Sequence, residues 1–303
     1  MAGQGTLILA SDYNGIQSKI NGILGVGSGT SGYGQTISSA QVSVNDPIRA
    51  SQWTALRNDL LRARQHQTGA DESGNLTVIN AGETVASNSI EVEYNNFSDV
   101  VIANKLTVAG SQGSTSELIA SSRNGDSVGP WNGILSNQIT VSFSDANHAR
   151  YFFNAGGNFQ ITSSRSGTVS SSKDSTWTTM LSQSGVVTMN YTTTTTSNLG
   201  SAYNIGFYSL TTTDQLIFQK TAPSGSYSEN LYEIYAKTNG TASQVIFTVY
   251  YKDLDVGDDQ IADGYDFKVD ENVYGTLSCS LQMFRPSGSN VSVASPSASQ
   301  TGL

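Results

Sequence analysis

The sequence predicts a mainly β fold, with a short N-terminal helical anchor followed by one or two antiparallel β-sandwich domains of jelly-roll type. Three observations carry this expectation. Helical periodicity is confined to residues 1–70. From Leu76 onward, short runs rich in Val, Ile, Thr, Tyr and Phe alternate with Gly, Asn and Ser punctuation, as half-buried strands and their turns do. In the run VYGTLSCSLQMF, Leu277, Cys279, Leu281 and Met283 share one face and Thr276, Ser278, Ser280 and Gln282 the other. That period of two is the mark of a sheet with one packed and one wet face.

Taken in order, Ser11 and Asp12 can cap a helix whose apolar stripe is Tyr13, Ile16, Ile20 and Ile23, with Gly25 as its stop. The linker GVGSGTSGYGQ follows, too rich in glycine for helix or strand. A second helix is marked by Asp46 as N-cap and Pro47 in the first turn. Trp53, Leu56, Leu60 and Ala63 repeat along it at helical spacing, and Gly69 ends it. Strands are then expected in LTVIN, SIEVEY, DVVIANKLTV and QITVSF. ARYFFNAGGNFQIT reads as a hairpin, with residues 149–154 as its first strand and a turn at Ala155, Gly156 and Gly157. The threonine run 192–196, with Ser197 and Asn198, reads as a linker to a second β region, IGFYSL, QLIFQK, LYEIYAK, QVIFTVYYK and VYGTLSCSLQMF. Expected domains are therefore 1–70, 71–197 and 198–286. The tail 287–303 is of a composition that is disordered unless something, such as a neighbouring subunit, holds it.

Composition narrows the function. Only 13 % of residues are charged, about half the roughly 25 % of ordinary soluble domains. Ser, Thr, Asn and Gly take up the difference, a surface common on secreted or particle-bound β proteins. The net charge of -9 disfavours a general nucleic-acid role. One cysteine, Cys279, excludes an intrachain disulfide. The opening residues lack a signal-peptide pattern, and no run approaches the ~20 apolar residues of a membrane span. Synthesis in a cytoplasm, with later release by other means, is the expectation.

Each chemical candidate has a bland counterpart. Arg49, Arg57, Arg62, Arg64 and His66 make a basic face on the second helix. It reads as a solvated face or as a docking surface for an acidic partner protein, with Trp53, Leu56, Leu60, Arg57, Arg62 and Arg64 at the interface. The run KDLDVGDDQIADGYDF gathers Asp253, Asp255, Asp258, Asp259, Asp263 and Asp266. Hard cations favour such oxygens, but the spacing departs from the calcium-loop pattern, and a solvated loop is the simpler reading. Asp253, Asp255, Asp258 and Asp259 remain weak metal candidates. His66 and His148 lie far apart in sequence, no G-x-S-x-G elbow occurs, and Cys279 falls on a packed strand face. No catalytic residue and no cofactor is expected. Phe207, Tyr208, Tyr227, Tyr232, Tyr235, Tyr250 and Tyr251 could pack in the core or stack on sugars.

Two stretches carry a resemblance. GTLILASDYNGIQSKINGILGVGSGTSGYGQ, with the later WTALRNDLLRARQHQTG, resembles the N-terminal region of virion structural proteins of large contractile-tailed phages infecting marine cyanobacteria. NHARYFFNAGGNFQITSSRSG is similar to a segment that recurs in the same proteins. Together they span about the first half of the chain. The resemblance implies a virion component and transfers no site residues. A neck, tail or baseplate fibre-like or collar protein is expected, located on the virion. Its partners would be itself, in a homotrimer or other closed oligomer, and other virion proteins. A capsid decoration protein and a receptor- or glycan-binding adhesin, touching a host surface glycan, are the alternatives.

Overall fold

The computed structural model describes residues 8–83, 87–169, 171–223, 225, 227–255, 258–262, 265–269 and 272–303, with backbone alone at 87, 88, 258–262 and 265–269. Helix and strand each take about 31 % of the chain, and two antiparallel sheets hold most strands, so the architecture is mixed α and β. The order begins α1 (Ala10–Leu24), α2 (Ala50–Thr68), α3 (Val92–Ala103), β1 (Gly113–Asn124), α4 (Gly125–Val128), β2 (Ile134–Ser142), α5 (Ala146–Asn154), β3 (Asn158–Ser166) and α6 (Ser172–Ser184). It continues β4 (Val187–Met189), β5 (Thr194–Thr196), β6 (Ser201–Ala202), β7 (Gln215–Thr221), β8 (Leu231–Thr238), β9 (Gln244–Lys252), β10 (Asp258–Ala262), β11 (Tyr265–Val269), β12 (Thr276–Pro286) and β13 (Ser297–Gly302).

The chain forms two compact units. One is Met1–Ser114, Asn147–Gly157 and Arg285–Ser295; the other is Thr115–Ala146, Asn158–Phe284 and Pro296–Leu303. Both units are discontinuous in sequence. The boundary expected at 197/198 falls inside the second unit, beside the threonines of β5.

The first unit is helical. Tyr13, Ile16, Ile20 and Ile23 of α1 are buried, as their spacing predicts. The Asp12 carboxylate accepts from the Leu9 amide at 3.0 Å, capping from inside the first turn. The helix ends at Gly25 as expected. The glycine-rich segment after it is packed. Tyr33 is fully buried, its amide donates to Ile23 O at 2.8 Å and its hydroxyl to Lys105 O at 2.8 Å. Gly32 has φ +101, and a Cβ there would collide with the Val26 carbonyl, so only glycine fits. Helix α2 begins at Ala50, past the Asp46–Pro47 start expected, because the Gln52 side chain satisfies the Arg49 amide at 2.6 Å. Gly69, at φ 73, closes it in the left-handed conformation.

Five stretches that read as strands are otherwise. SIEVEY and the first half of DVVIANKLTV form a π-helical turn (Ser87–Glu91) and α3. Tyr94, Ser98 and Val101 are buried at helical spacing, so packing overrides the β-branched residues. Residues 149–154 are in α5, not a hairpin strand. Ala149, Phe152 and Phe153 are its buried apolar positions, again three and four apart. IGFYSL holds only a 3-10 turn, Phe207–Ser209, and LTVIN carries no strand.

In the second unit, one sheet has the order β1-β12-β3-β4-β5 and the other β13-β2-β9-β8-β7-β6; β10 and β11 form a separate hairpin. Strand β12 pairs with β3 from Thr276↔Ser166 to Phe284↔Asn158, and its alternation is as expected, with Leu277, Cys279, Leu281 and Met283 buried. Buried rows of the two sheets touch. Phe159 of β3 meets Phe247 of β9 edge-on at 6.0 Å, and the Ser163 hydroxyl lies 2.7 Å from Tyr251 Oη and 3.0 Å from Tyr232 Oη. Helix α6 was not expected. Its start is a capping box in which Asp174 N donates to Ser171 Oγ at 3.1 Å. Trp177, Met180, Leu181 and Ser184 are its buried stripe. The tail 287–303 is held by its own chain and not by a neighbouring subunit: its residues Ser297–Gly302 form β13, paired antiparallel with β2 from Ser297↔Ser142 to Gly302↔Asn137.

Candidate functional site

The residues expected to dock a partner are taken up inside the first unit. Trp53, Leu56 and Leu60 are at most 1 % exposed. Trp53 is held edge-on by Tyr13 at 5.3 Å and Tyr94 at 5.1 Å. The guanidiniums of α2 also bind their own chain. Arg57 donates to Leu76 O at 3.0 Å and Ser73 O at 2.6 Å. Arg62 donates to Thr36 O at 3.0 Å and Asn290 O at 3.2 Å, and Arg64 pairs with Glu72 at 3.6 Å. The apolar stripe of α2 is therefore core, and its arginines tie down loops. Basic spacing in the sequence could not distinguish loop-tying from docking, because both need the same residues.

His66 is fully buried at the end of α2. Its Nε2 lies 2.9 Å from Ala155 O, so Nε2 carries the proton, and Tyr33 packs edge-on at 5.2 Å. Burial lowers its pKa to about 4, against a smaller opposing effect of the Ala155 carbonyl. His148 is half-buried near Tyr151, with ring centroids 6.0 Å apart. Cys279 is buried as expected, on the inner face of β12.

The acidic run resolves differently from a metal loop. Lys173 of α6, fully buried, puts its ammonium 3.0 Å from Asp253 and 3.4 Å from Asp255, with the Tyr227 ring centroid at 5.6 Å. A side-chain cation thus occupies the place a hard metal ion would need between these carboxylates. The side chains of Asp258, Asp259 and Asp266, and the whole of Asp263, lie outside the described residues. Among the described residues no cluster of three or more His, Cys, Asp or Glu could hold a metal ion. Next to Lys173, Asp174 pairs with Arg165 at 2.9 Å, both side chains at most 1 % exposed.

The outer face of the six-stranded sheet presents the best-formed surface cluster. Glu233 of β8 stands opposite Tyr250 of β9, and Tyr235 lies one step along on the same face. Tyr235 and Tyr250 meet edge-on at 5.7 Å. The Lys252 ammonium lies over Tyr250 at 5.3 Å and pairs with Glu233 at 2.6 Å. Gln219 of β7 donates to the same carboxylate at 2.7 Å, and Tyr235 Oη at 3.3 Å. Lys252 is pushed above its ordinary pKa, chiefly by the hydrogen bond to Glu233. Tyr235 is also raised, first by burial and then by the Glu233 charge. The arrangement offers half-buried ring surface beside fixed polar groups, which suits stacking and hydrogen bonding. Its one carboxylate is already held by three partners, Lys252, Gln219 and Tyr235. Tyr235 and Tyr250 are among the expected aromatics; Glu233, Gln219 and Lys252 are not. The alternation in LYEIYAK and VYYK carried the signal, since each pair of residues two apart shares a face.

Among the described residues no helix is long and apolar enough to cross a membrane. No protein family, no curated protein and no solved structure matches the chain.

Proposed function

We propose that this chain is a non-enzymatic structural component of a tailed-phage virion, a neck, tail or baseplate fibre-like or collar protein that self-associates on the particle. The observation that supports it best is an open strand edge on a weakly charged molecule. Among the described residues strand β1 ends its sheet, spans 12 residues, and buries none of them. A long edge of this kind is a template for pairing with another chain. The facing buried rows of the two sheets favour reading the second unit as an antiparallel, jelly-roll-like sandwich. Light scattering on the purified protein should give a closed homo-oligomer. A monomer at every concentration up to about a hundred micromolar, where even weak standard-sized interfaces associate, would sink the self-assembling reading.

A second reading, a glycan-binding tail adhesin, is favoured by the Tyr235–Tyr250–Lys252 cluster. Glycan-array binding that weakens about tenfold or more in Tyr250→Ala, the scale of one lost stacking contact, supports it. A blank array removes it.

A further inference from the structure

We infer that β1 is a self-complementary edge, and that two copies of this chain pair through it in antiparallel fashion about a two-fold axis at Ala120. The inference rests on the self-association proposed above and names the surface and register that bring it about.

Strand β1 carries two charged side chains, Glu117 and Arg123. Six residues apart on an extended strand, they are separated by about 20 Å and cannot meet within one copy. Both fall on the same face, since their spacing is even. Among the described residues neither forms an ion pair. Glu117 is exposed. Arg123 makes one hydrogen bond, to Gly129 O at 3.0 Å, and its Nε is buried without an acceptor. Two leftover charges of opposite sign on an open edge define a register. In an antiparallel pair centred on Ala120, Glu117 of each copy faces Arg123 of the other, giving two cross-strand ion pairs. Ile119 then faces Ser121, Leu118 faces Ser122, and Ser116 faces Asn124. No like charges oppose one another. Any other antiparallel self-register leaves all four charges without an opposite partner across the strands. Isologous pairing of this kind closes on itself. It therefore builds a dimer, or an even-numbered assembly, in place of the expected trimer.

The test uses the full chain. Glu117→Arg or Arg123→Glu places like charges opposite each other twice per dimer. Each should weaken dimerisation about tenfold or more, from two cross-strand pairs changing sign; the double exchange should restore it. Ala120→Cys supplies an independent readout, because the native Cys279 is buried. At the two-fold, paired residues have Cα atoms about 4.5–5.5 Å apart, within disulfide reach. Mild oxidation should link Ala120→Cys into a covalent dimer and leave Ser116→Cys unlinked, since the two 116 positions diverge along the strands. If the wild type is oligomeric but the reversals leave its mass unchanged and Ala120→Cys does not link, the β1 pairing is wrong and self-association uses another surface. If the wild type is monomeric, both proposals fall.

Discussion

Replacing Arg165 by methionine should destabilise the second unit by about 3–5 kcal/mol, the cost of breaking a buried ion pair by removing one partner. The guanidinium donates to Tyr274 O at 2.7 Å, Thr178 Oγ1 at 3.0 Å and Thr168 O at 2.8 Å, besides its 2.9 Å contact with Asp174. It therefore binds β3 to α6 and to the segment leading into β12. Methionine fills similar volume but returns none of these donors, and the Asp174 carboxylate stays buried without its counter-charge. Water cannot compensate at a side chain only 1 % exposed. Pairing the change with Asp174→Leu should cost less than the sum of the single changes, since each single change strands the other's charge or donors. Urea unfolding followed by far-UV circular dichroism measures both. A loss below about 1 kcal/mol for Arg165→Met would mean that the cluster contributes no more than an exposed pair.

Acidification should weaken the first unit through His66. The folded pKa of about 4 lies below the ordinary 6.5. Between those values the unfolded chain binds more protons than the folded one. The full contribution is present above pH 6.5 and is lost as the pH falls towards 4. The shift corresponds to about 3 kcal/mol lost by pH 4. The cause is geometric: the ring is buried against Tyr33 and already donates through Nε2 to Ala155 O, so a second proton on Nδ1 would bring a charge into a dry site. His66→Gln removes the titration. Its stability should vary less than that of the wild type between pH 6.5 and 4. Parallel pH profiles for the two proteins would refute the assignment.

These two sites show what was legible in the sequence. The α1 stripe, the Gly69 stop and the alternation of β12 could be read because each is local and periodic. Helix α3 could not, since Val100, Val101 and Ile102 favour strands and the burial of Tyr94, Ser98 and Val101 at helical spacing decides for helix. Residues 149–154 misled for a similar reason. The glycines after them do make a turn, but it joins a helix to a strand. Strand β1 was invisible because Ser, Thr and Gly dominate it, and an edge strand needs no buried face. The carboxylates of the acidic run were visible, but not the lysine that neutralises them, which comes from α6 about eighty residues earlier. Pairing across such a distance is fixed by topology and leaves no local trace.

The discontinuity of the two units has a consequence for biosynthesis. The first unit needs Arg285–Ser295, and the second needs Pro296–Leu303 as well. A nascent chain that has yet to emit residues 285–303 therefore holds neither unit complete, however much of each has already emerged. Folding of either unit can begin on the ribosome, but its completion waits for these late segments to emerge. Neither unit can be separated from the other by a single cut in the gene.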